Sequence, residues 1–536
     1  MKLTQSKMTD YIAGGKIYYI LPPLVHAKIT SLATVGIDSI IVDIETDIHR
    51  GLPNFTVVGL GDAAVQESRE RVRSAVKNSG YSFPSTKITA SLAPADVRKS
   101  GPAFDLPIAL GIMMSSGQIE PVAEFEEAVF VGELALDGSL RHVNGILPMA
   151  LSAEKLAKKR MYVPEESAKE ASLASEIEVI PVRDIRQLVD HLYHNVKIAP
   201  MEPADYRDYA FVDETIPCFS SIRGQEHAKR ALEIAAAGAH NLLLNGSPGA
   251  GKTLMAKAFR GILPELLREE AMEVAQIYSI AGMLPPERPL PANRPFRIVH
   301  HTASAVSIVG GGGQIKPGEI SLAHKGVLFL DELPEFPSQV LEVLRQPLED
   351  REITISRAQG SLKFPAHFTL LAAMNPCPCG YYNVPDSEKD CSCTGSNISR
   401  YQKRISGPLL DRIDLYVDIS PVKFDKLSGE RTGDPSSEIA ARVQASRDRQ
   451  KSRFETTPLT TTAEMGVSDL EKHCPIDDTA KDILRQAMQQ FNLSARGYHR
   501  ILKVARTIAD LSDSPTVEVA HVAEALQYRP KLQEVI

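Results

Sequence analysis

Gly246-Ser-Pro-Gly-Ala-Gly-Lys-Thr253 reads G-x-x-x-x-G-K-T. It follows the apolar run Leu242-Leu243-Leu244 and precedes a helical pattern with Leu254, Ala258, Phe259 and Ile262 on one face. Strand, glycine loop and helix, in that order, are the context a phosphate-binding loop requires. Across Gly246, Ser247, Pro248, Gly249, Ala250 and Gly251 the backbone can turn its N–H groups inward around phosphate oxygens, and the helix amino terminus adds partial positive charge. Lys252 is placed to reach terminal phosphates, and the Thr253 hydroxyl to hold Mg²⁺.

A second stretch, Gly326-Val-Leu-Phe-Leu-Asp-Glu332, is an apolar strand ending in two adjacent carboxylates. An unbroken apolar run of this length suits a parallel strand covered on both faces. Asp331 suits the Mg²⁺ shell, and Glu332 suits orienting an attacking water. A third strand, Phe368 to Ala373, delivers Asn375 in Ala-Met-Asn-Pro, where the amide can bond a γ-phosphate or the lytic water, or where Asn-Pro is simply a turn.

The 536 residues are enough for roughly three domains with real cores. Hydrophobic content of 43% and charged content of 24% are those of an ordinary soluble chain. A net charge of −7 excludes a uniformly basic coat for nucleic acid, so any DNA contact must be local. Six cysteines, four of them clustered, point to a reducing cytoplasm and a metal rather than a disulfide scaffold. Neither a signal peptide nor a membrane span is expected.

Residues 1–24 read as a loose extension, and from Ala33 strands alternate with helices. Ile37 to Ile44, Phe55 to Val58 and Lys87 to Leu92 have strand patterns, and Asp62 to Asn78 a helical one. Val131 to Arg141 reads as a hairpin turning at Asp137-Gly138. Met149 to Lys159 reads as a helix, Arg160 to Val163 as a strand, and Asp184 to Tyr193 as a closing helix.

This α/β block, residues 25–197, resembles the Lon-protease-type domain that fronts the magnesium-chelatase-like AAA+ ATPases of the YifB/ComM family. The resemblance rests on Val58-Gly-Leu-Gly, Ala93-Pro-Ala-Asp96, Phe104-Asp-Leu-Pro-Ile-Ala-Leu110 and Val131-Gly-Glu-Leu134. Lon-type proteases use a serine in a G-P-S-A-G turn and a lysine in G-G-x-K. Here Ala103 and Leu147 stand at those positions, and neither can perform acyl transfer. The domain is expected to be a scaffold or a DNA-handling module.

Residues 198–214 read as an acidic, proline-bearing linker, and 215–422 as an AAA+ α/β domain of the helix-2-insert type, with 436–531 as its helical lid. In this family Asn375 takes the sensor-1 place. Gly407-Pro-Leu-Leu-Asp-Arg-Ile-Asp414 looks like the L-L-D-R-x-D element, in which Arg412 is the finger reaching a neighbouring subunit's γ-phosphate. That implies a ring, a homo-hexamer. The plain alternative pairs Arg412 with Asp411 or Asp414. Ser494-Ala-Arg-Gly-Tyr-His-Arg500 opens the lid helix, where Arg496 matches the sensor-2 arginine and Arg500 is the alternative. The segment from His300-His301 to Gly313, continuing to Ser321, looks like the pore-lining insert, and its four glycines imply a mobile loop. Arg351 to Phe364 reads as a hairpin. Lys316, Arg357 and Lys363 are the DNA-contact candidates, with a solvated face as the alternative for the two hairpin residues.

Cys377-Pro-Cys379 and Cys391-Ser-Cys393 make two close thiol pairs in an insertion spanning 377–393. Such pairs can complete a tetrahedral S₄ shell for Zn²⁺, with an iron–sulfur cluster or free thiols as the other readings. The resemblance implies ATP and Mg²⁺ as cofactors, and DNA, single-stranded and branched, as partner. It further implies a helicase or branch-migration activity during natural transformation. A magnesium-chelatase-type subunit driving metal insertion into a porphyrin is the competing reading.

Overall fold

The computed structural model describes residues 11–13, 16–18, 26–99, 101–203, 215–312, 315–357, 360–384, 389–421, 433–491 and 493–529. Two compact units emerge: Met1–Asp208 with Ala275–Leu290, and Tyr209–Val274 with Pro291–Ile536. Sheet and lid helices thus share the second unit, whereas Ala275–Leu290, inside the span expected to be wholly AAA+, belongs to the first. Most of the expected extension and linker lies outside the described residues. Within the extension, Tyr11–Ala13 pairs antiparallel with Lys16–Tyr18.

The first unit is built on the twelve-residue strand Asp38–His49, whose Val42, Ile44, Thr46 and Ile48 face inward. It pairs antiparallel with Ala27–Val35 and Lys87–Ala93, and Asn54–Val58 lies parallel to the latter at the sheet edge. The strand Ala27–Val35 precedes the first strand expected from the sequence, Ile37 to Ile44. Most of it is buried, so the polar-apolar alternation of a one-sided strand is missing. Asp62 caps the helix Ala63–Asn78 by accepting from Val65 N–H at 3.0 Å.

The helix Asp105–Ser115 has every residue buried, as a helix apolar all round must. It packs so closely at Gly111 that an added Cβ would sit 2.7 Å from Thr46 Cγ2. A second, parallel sheet runs Glu178–Val182, Arg160–Pro164, Ala128–Phe130. The expected helix at 149–159 is shifted to Ile146–Lys155, beginning after left-handed Gly145 and stopping before left-handed Ala157. Ala103 and Leu147 are both core residues.

The second unit holds a five-stranded, wholly parallel sheet. Its spatial order is Phe296–Val299, Val327–Leu330, Thr369–Met374, Leu242–Gly246, Leu415–Ile419. Val327–Leu330 is buried along its whole length, as its unbroken apolar sequence requires. After the glycine loop the helix Lys252–Phe259 buries Met255, Ala256, Ala258 and Phe259, while Leu254 faces outward, contrary to its expected place on the apolar face. The lid helices Ser436–Phe454, Val467–His473, Asp478–Gln490, Ala495–Leu511 and Val519–Gln527 contribute to the same hydrophobic core as the sheet. Buried His240 ties the two together: Nε2 lies 2.7 Å from Thr507 Oγ1 and Nδ1 3.3 Å from Asp414 Oδ2.

Candidate active site

Strand order reverses beside Leu242–Gly246, which has the fourth and fifth strands of its sheet as neighbours. Open parallel sheets bind ligands outside the carboxyl ends of their strands at such a reversal. Gly246 ends the first strand where a Cβ would come within 2.6 Å of the Ile419 carbonyl. Gly249 and Gly251 adopt φ of +78° and +90°, which only glycine takes without strain. The loop therefore has the backbone freedom that a phosphate cradle needs.

Around this loop four predicted residues converge. Lys252 Nζ donates to the Gly246 and Ser247 carbonyls at 2.6 and 2.9 Å and to Asn375 Oδ1 at 2.9 Å. Burial lowers the Lys252 pKa, and Asp331 and Glu332 oppose that shift. Thr253 Oγ1 donates to Asp331 Oδ2 at 2.8 Å. These groups fit a triphosphate with Mg²⁺: one ammonium for the phosphate oxygens, and a hydroxyl and a carboxylate already adjacent for the ion. Glu332 sits at φ 55°, a left-handed backbone that a non-glycine residue holds at a strain of about 1–3 kcal/mol. His301, just past the neighbouring strand, brings Nδ1 to 3.1 Å from Glu332 Oε2. His300-His301 opens the pore-insert segment in the sequence, and nothing local there signals the contact with Glu332.

Arg412, Arg496 and Arg500 are elsewhere. Leu242 pairs with Leu415 and Gly246 with Ile419. Arg412 precedes that strand and Lys252 follows the other, so they lie at opposite sheet ends, separated by about 15 Å of strand rise. Arg412 pairs with Glu349, not with either aspartate considered from the sequence. Asp414 is engaged by His240, and Asp411 by Arg500 at 3.3 Å. Arg500 also donates to the Ile413 carbonyl at 2.9 Å. Arg496 is exposed and lines the same cavity as Arg412, His499 and Arg500. The structure thus gathers the arginines with one another, away from the glycine loop.

Two of the insert's glycines take part in a short ladder. Gly310 and Gly311 are buried and pair antiparallel with Lys316-Pro317. A Cβ on Gly310, at φ +103°, would lie 2.7 Å from Ile355 Cδ1, so glycine serves close packing there rather than mobility. Ile355 belongs to the hairpin Glu352–Arg357 with Gly360–Pro365, which places insert and hairpin in contact. Lys316 is exposed. Lys363 is also exposed but donates to Glu352 at 2.6 Å. The Arg357 side chain lies outside the described residues.

The four clustered cysteines converge. Cys377 Sγ lies 3.3 Å from Cys379 Sγ and 3.7 Å from Cys391 Sγ, and Cys379 and Cys391 are 3.5 Å apart. Cys393 completes a set whose ligand atoms all lie within 4.8 Å of one another. A tetrahedron with Zn–S bonds of about 2.3 Å has edges of about 3.8 Å, close to these separations. The Gly380 N–H donates to Cys377 Sγ at 3.2 Å, the kind of bond that steadies a metal thiolate. The donor set fits Zn²⁺.

A parallel sheet with a glycine loop and an Asp-Glu pair at its carboxyl ends, closed by a bundle of helices, defines a P-loop protein of the AAA+ type. Family models agree with that class. Magnesium chelatase, subunit ChlI, matches residues 218–427; its C-terminal model matches 433–529, and a further ChlI model matches 44–167. Competence protein ComM of Haemophilus influenzae is 42% identical over 511 residues, covering 94% of this chain and 97% of the relative. The YifB protein of Escherichia coli is 39% identical over 507 residues, covering 94% and 96%. The magnesium-chelatase 38 kDa subunit of Cereibacter sphaeroides is 27% identical over 177 residues, covering 30% of this chain and 52% of the relative. The chain belongs to the magnesium-chelatase-like AAA+ family that includes ComM and YifB. No helix among the described residues is long and apolar enough to cross a membrane.

Proposed function

We propose that this chain is a Mg²⁺-dependent ATPase that works as a homo-hexameric ring on single-stranded and branched DNA, driving branch migration as incoming DNA is integrated. The observation that carries the ATPase reading is the convergence of Lys252 on Asn375 and of Thr253 on Asp331 at the sheet's carboxyl ends. Lys252 steadies the terminal phosphates, Thr253 and Asp331 hold the ion, Glu332 orients water, and Asn375 positions the γ-phosphate or that water. Arg412, at the opposite sheet end, serves the next subunit's site, with Arg496 beside it. The DNA role rests on the near full-length likeness to a protein named for competence. Lys316, Arg357 and Lys363 are its contact candidates, and the cysteine set is a structural zinc site. The front unit, without serine or lysine at 103 and 147, is a scaffold or DNA-handling module.

The test is ATP hydrolysis by the purified chain, alone and with single-stranded, duplex and four-way DNA, using Glu332→Gln as the blank. Stimulation by branched or single-stranded DNA, lost in the variant, is the expected result. Robust hydrolysis indifferent to every DNA would overturn the motor reading and favour the chelatase-type one.

A further inference from the structure

The cysteine insertion departs from and returns to the nucleotide site. Asn375, which accepts from Lys252, is two residues before Cys377. On the returning arm, Cys391 and Cys393 lead directly into the helix Gly395–Gln402. That helix grips the point of departure: Gln402 Nε2 donates to the Pro376 carbonyl at 3.1 Å, and a backbone hydrogen bond from Asn375 reaches Tyr401. The thiols, two from each arm, close this loop at its base. Cys377 is buried outright.

A second contact runs from the insertion to the glycine loop itself. Gly380 adopts φ +88°, and a Cβ there would lie 2.3 Å from Cδ of Pro248, the third residue of the phosphate-binding stretch. The same Gly380 N–H bonds Cys377 Sγ. The thiol set therefore borders the nucleotide pocket on two sides: through Pro376 to Asn375, and through Gly380 to Pro248.

We propose that the four-cysteine centre is a positioning element of the nucleotide site, so that metal held by Cys377, Cys379, Cys391 and Cys393 and nucleotide held by the glycine loop favour each other's binding. This rests on the reading of those cysteines as a metal site. Metal joins the two arms, fixes the Asn375-Pro376 segment and seats Gly380 under Pro248. Without it, the arms keep the Tyr401 and Gln402 hydrogen bonds and the exposed stacking of Lys389 over Tyr381, and both the Asn375 amide and the loop backbone lose a rigid support. Coupling between two ligands is reciprocal, so nucleotide must raise the affinity for metal by the factor by which metal tightens nucleotide binding.

The experiment begins with metal analysis of the full-length chain, followed by zinc affinity, from equilibrium competition with a chromogenic chelator, with and without saturating MgADP. Binding of a fluorescent ADP analogue is then measured before and after metal removal. One zinc per chain, zinc affinity raised on the order of fivefold by MgADP, and a matching loss of ADP affinity in the stripped protein are the expected results. Gly380→Ala is predicted to retain zinc and a native circular dichroism spectrum while binding ADP several-fold more weakly. A chain purified without zinc overturns the metal reading itself. Stoichiometric zinc whose affinity ignores MgADP overturns the coupling alone, and that comparison on the unaltered protein decides even if Gly380→Ala does not fold.

Discussion

The two ends of one parallel sheet contrast. At the carboxyl ends, Lys252, Thr253, Asp331 and Asn375 are joined by hydrogen bonds of 2.8–2.9 Å with every member supplied by a short local motif. At the amino ends, Arg412, Arg496 and Arg500 gather with Glu349 and Asp411, brought in from separate parts of the chain. The first end is a finished pocket with cation and carboxylates in place. The second is a cluster of arginines countered by Glu349 and Asp411. Under the proposed function, an arginine about 15 Å of strand from its own Lys252 acts on a phosphate at another subunit's carboxyl end. The proposed ring draws on this contrast.

Removing Arg412 should give the largest effect. A finger acting in trans is worth about 10³–10⁵ in kcat, so Arg412→Ala should lose hydrolysis by about 10³ while ADP affinity is kept. Equal loss of affinity and turnover would show that the arginine serves its own site. A smaller effect separates the two lid arginines. Arg500 bonds the Ile413 carbonyl and Asp411, so Arg500→Ala should lower the melting temperature, a carbonyl bond to a charged donor contributing about 1–3 kcal/mol. Arg496 is exposed, and Arg496→Ala should leave melting unchanged but slow hydrolysis. Reversal of that pattern would exchange their roles.

The smallest prediction concerns the first unit, away from either sheet end. Buried Glu170 accepts from Ser279 and Leu147, and burial pushes its pKa up to about 7 from 4.5. The folded state thus holds this proton more tightly than the unfolded one, so stability falls as pH rises from about 4.5 through 7. Glu170→Gln keeps the acceptor without the charge. It should flatten that pH dependence, with a gain above pH 7 of at most about 3 kcal/mol, read by chemical denaturation across pH.

What was legible in the sequence follows the same divide. The glycine loop and the Asp331-Glu332 strand could be read because each is contiguous and its neighbours repeat the apolar signature of a buried parallel strand. The partner of Arg412 could not be read, because Glu349 approaches it only through the fold. The four glycines ending at Gly313 read as a mobile loop, and composition does not reveal that the first of them, Gly310, is also needed for close approach to Ile355 on the hairpin. Leu254 faces outward although helical spacing placed it with Phe259. Ser279, in the stretch expected to be wholly AAA+, bonds Glu170 of the first unit, a long-range partnership with no local signal.

The measurement that bears most directly on the two-ended site is a mixing experiment between Glu332→Gln and Arg412→Ala chains. Each alone has every interface broken, one at the carboxyl end and the other at the amino end. In an equal, freely exchanging mixture about a quarter of interfaces join an intact carboxyl end to an intact arginine end, so hydrolysis should return to about a quarter of the unaltered rate. No recovery in rings shown to exchange subunits would contradict a site shared between neighbours.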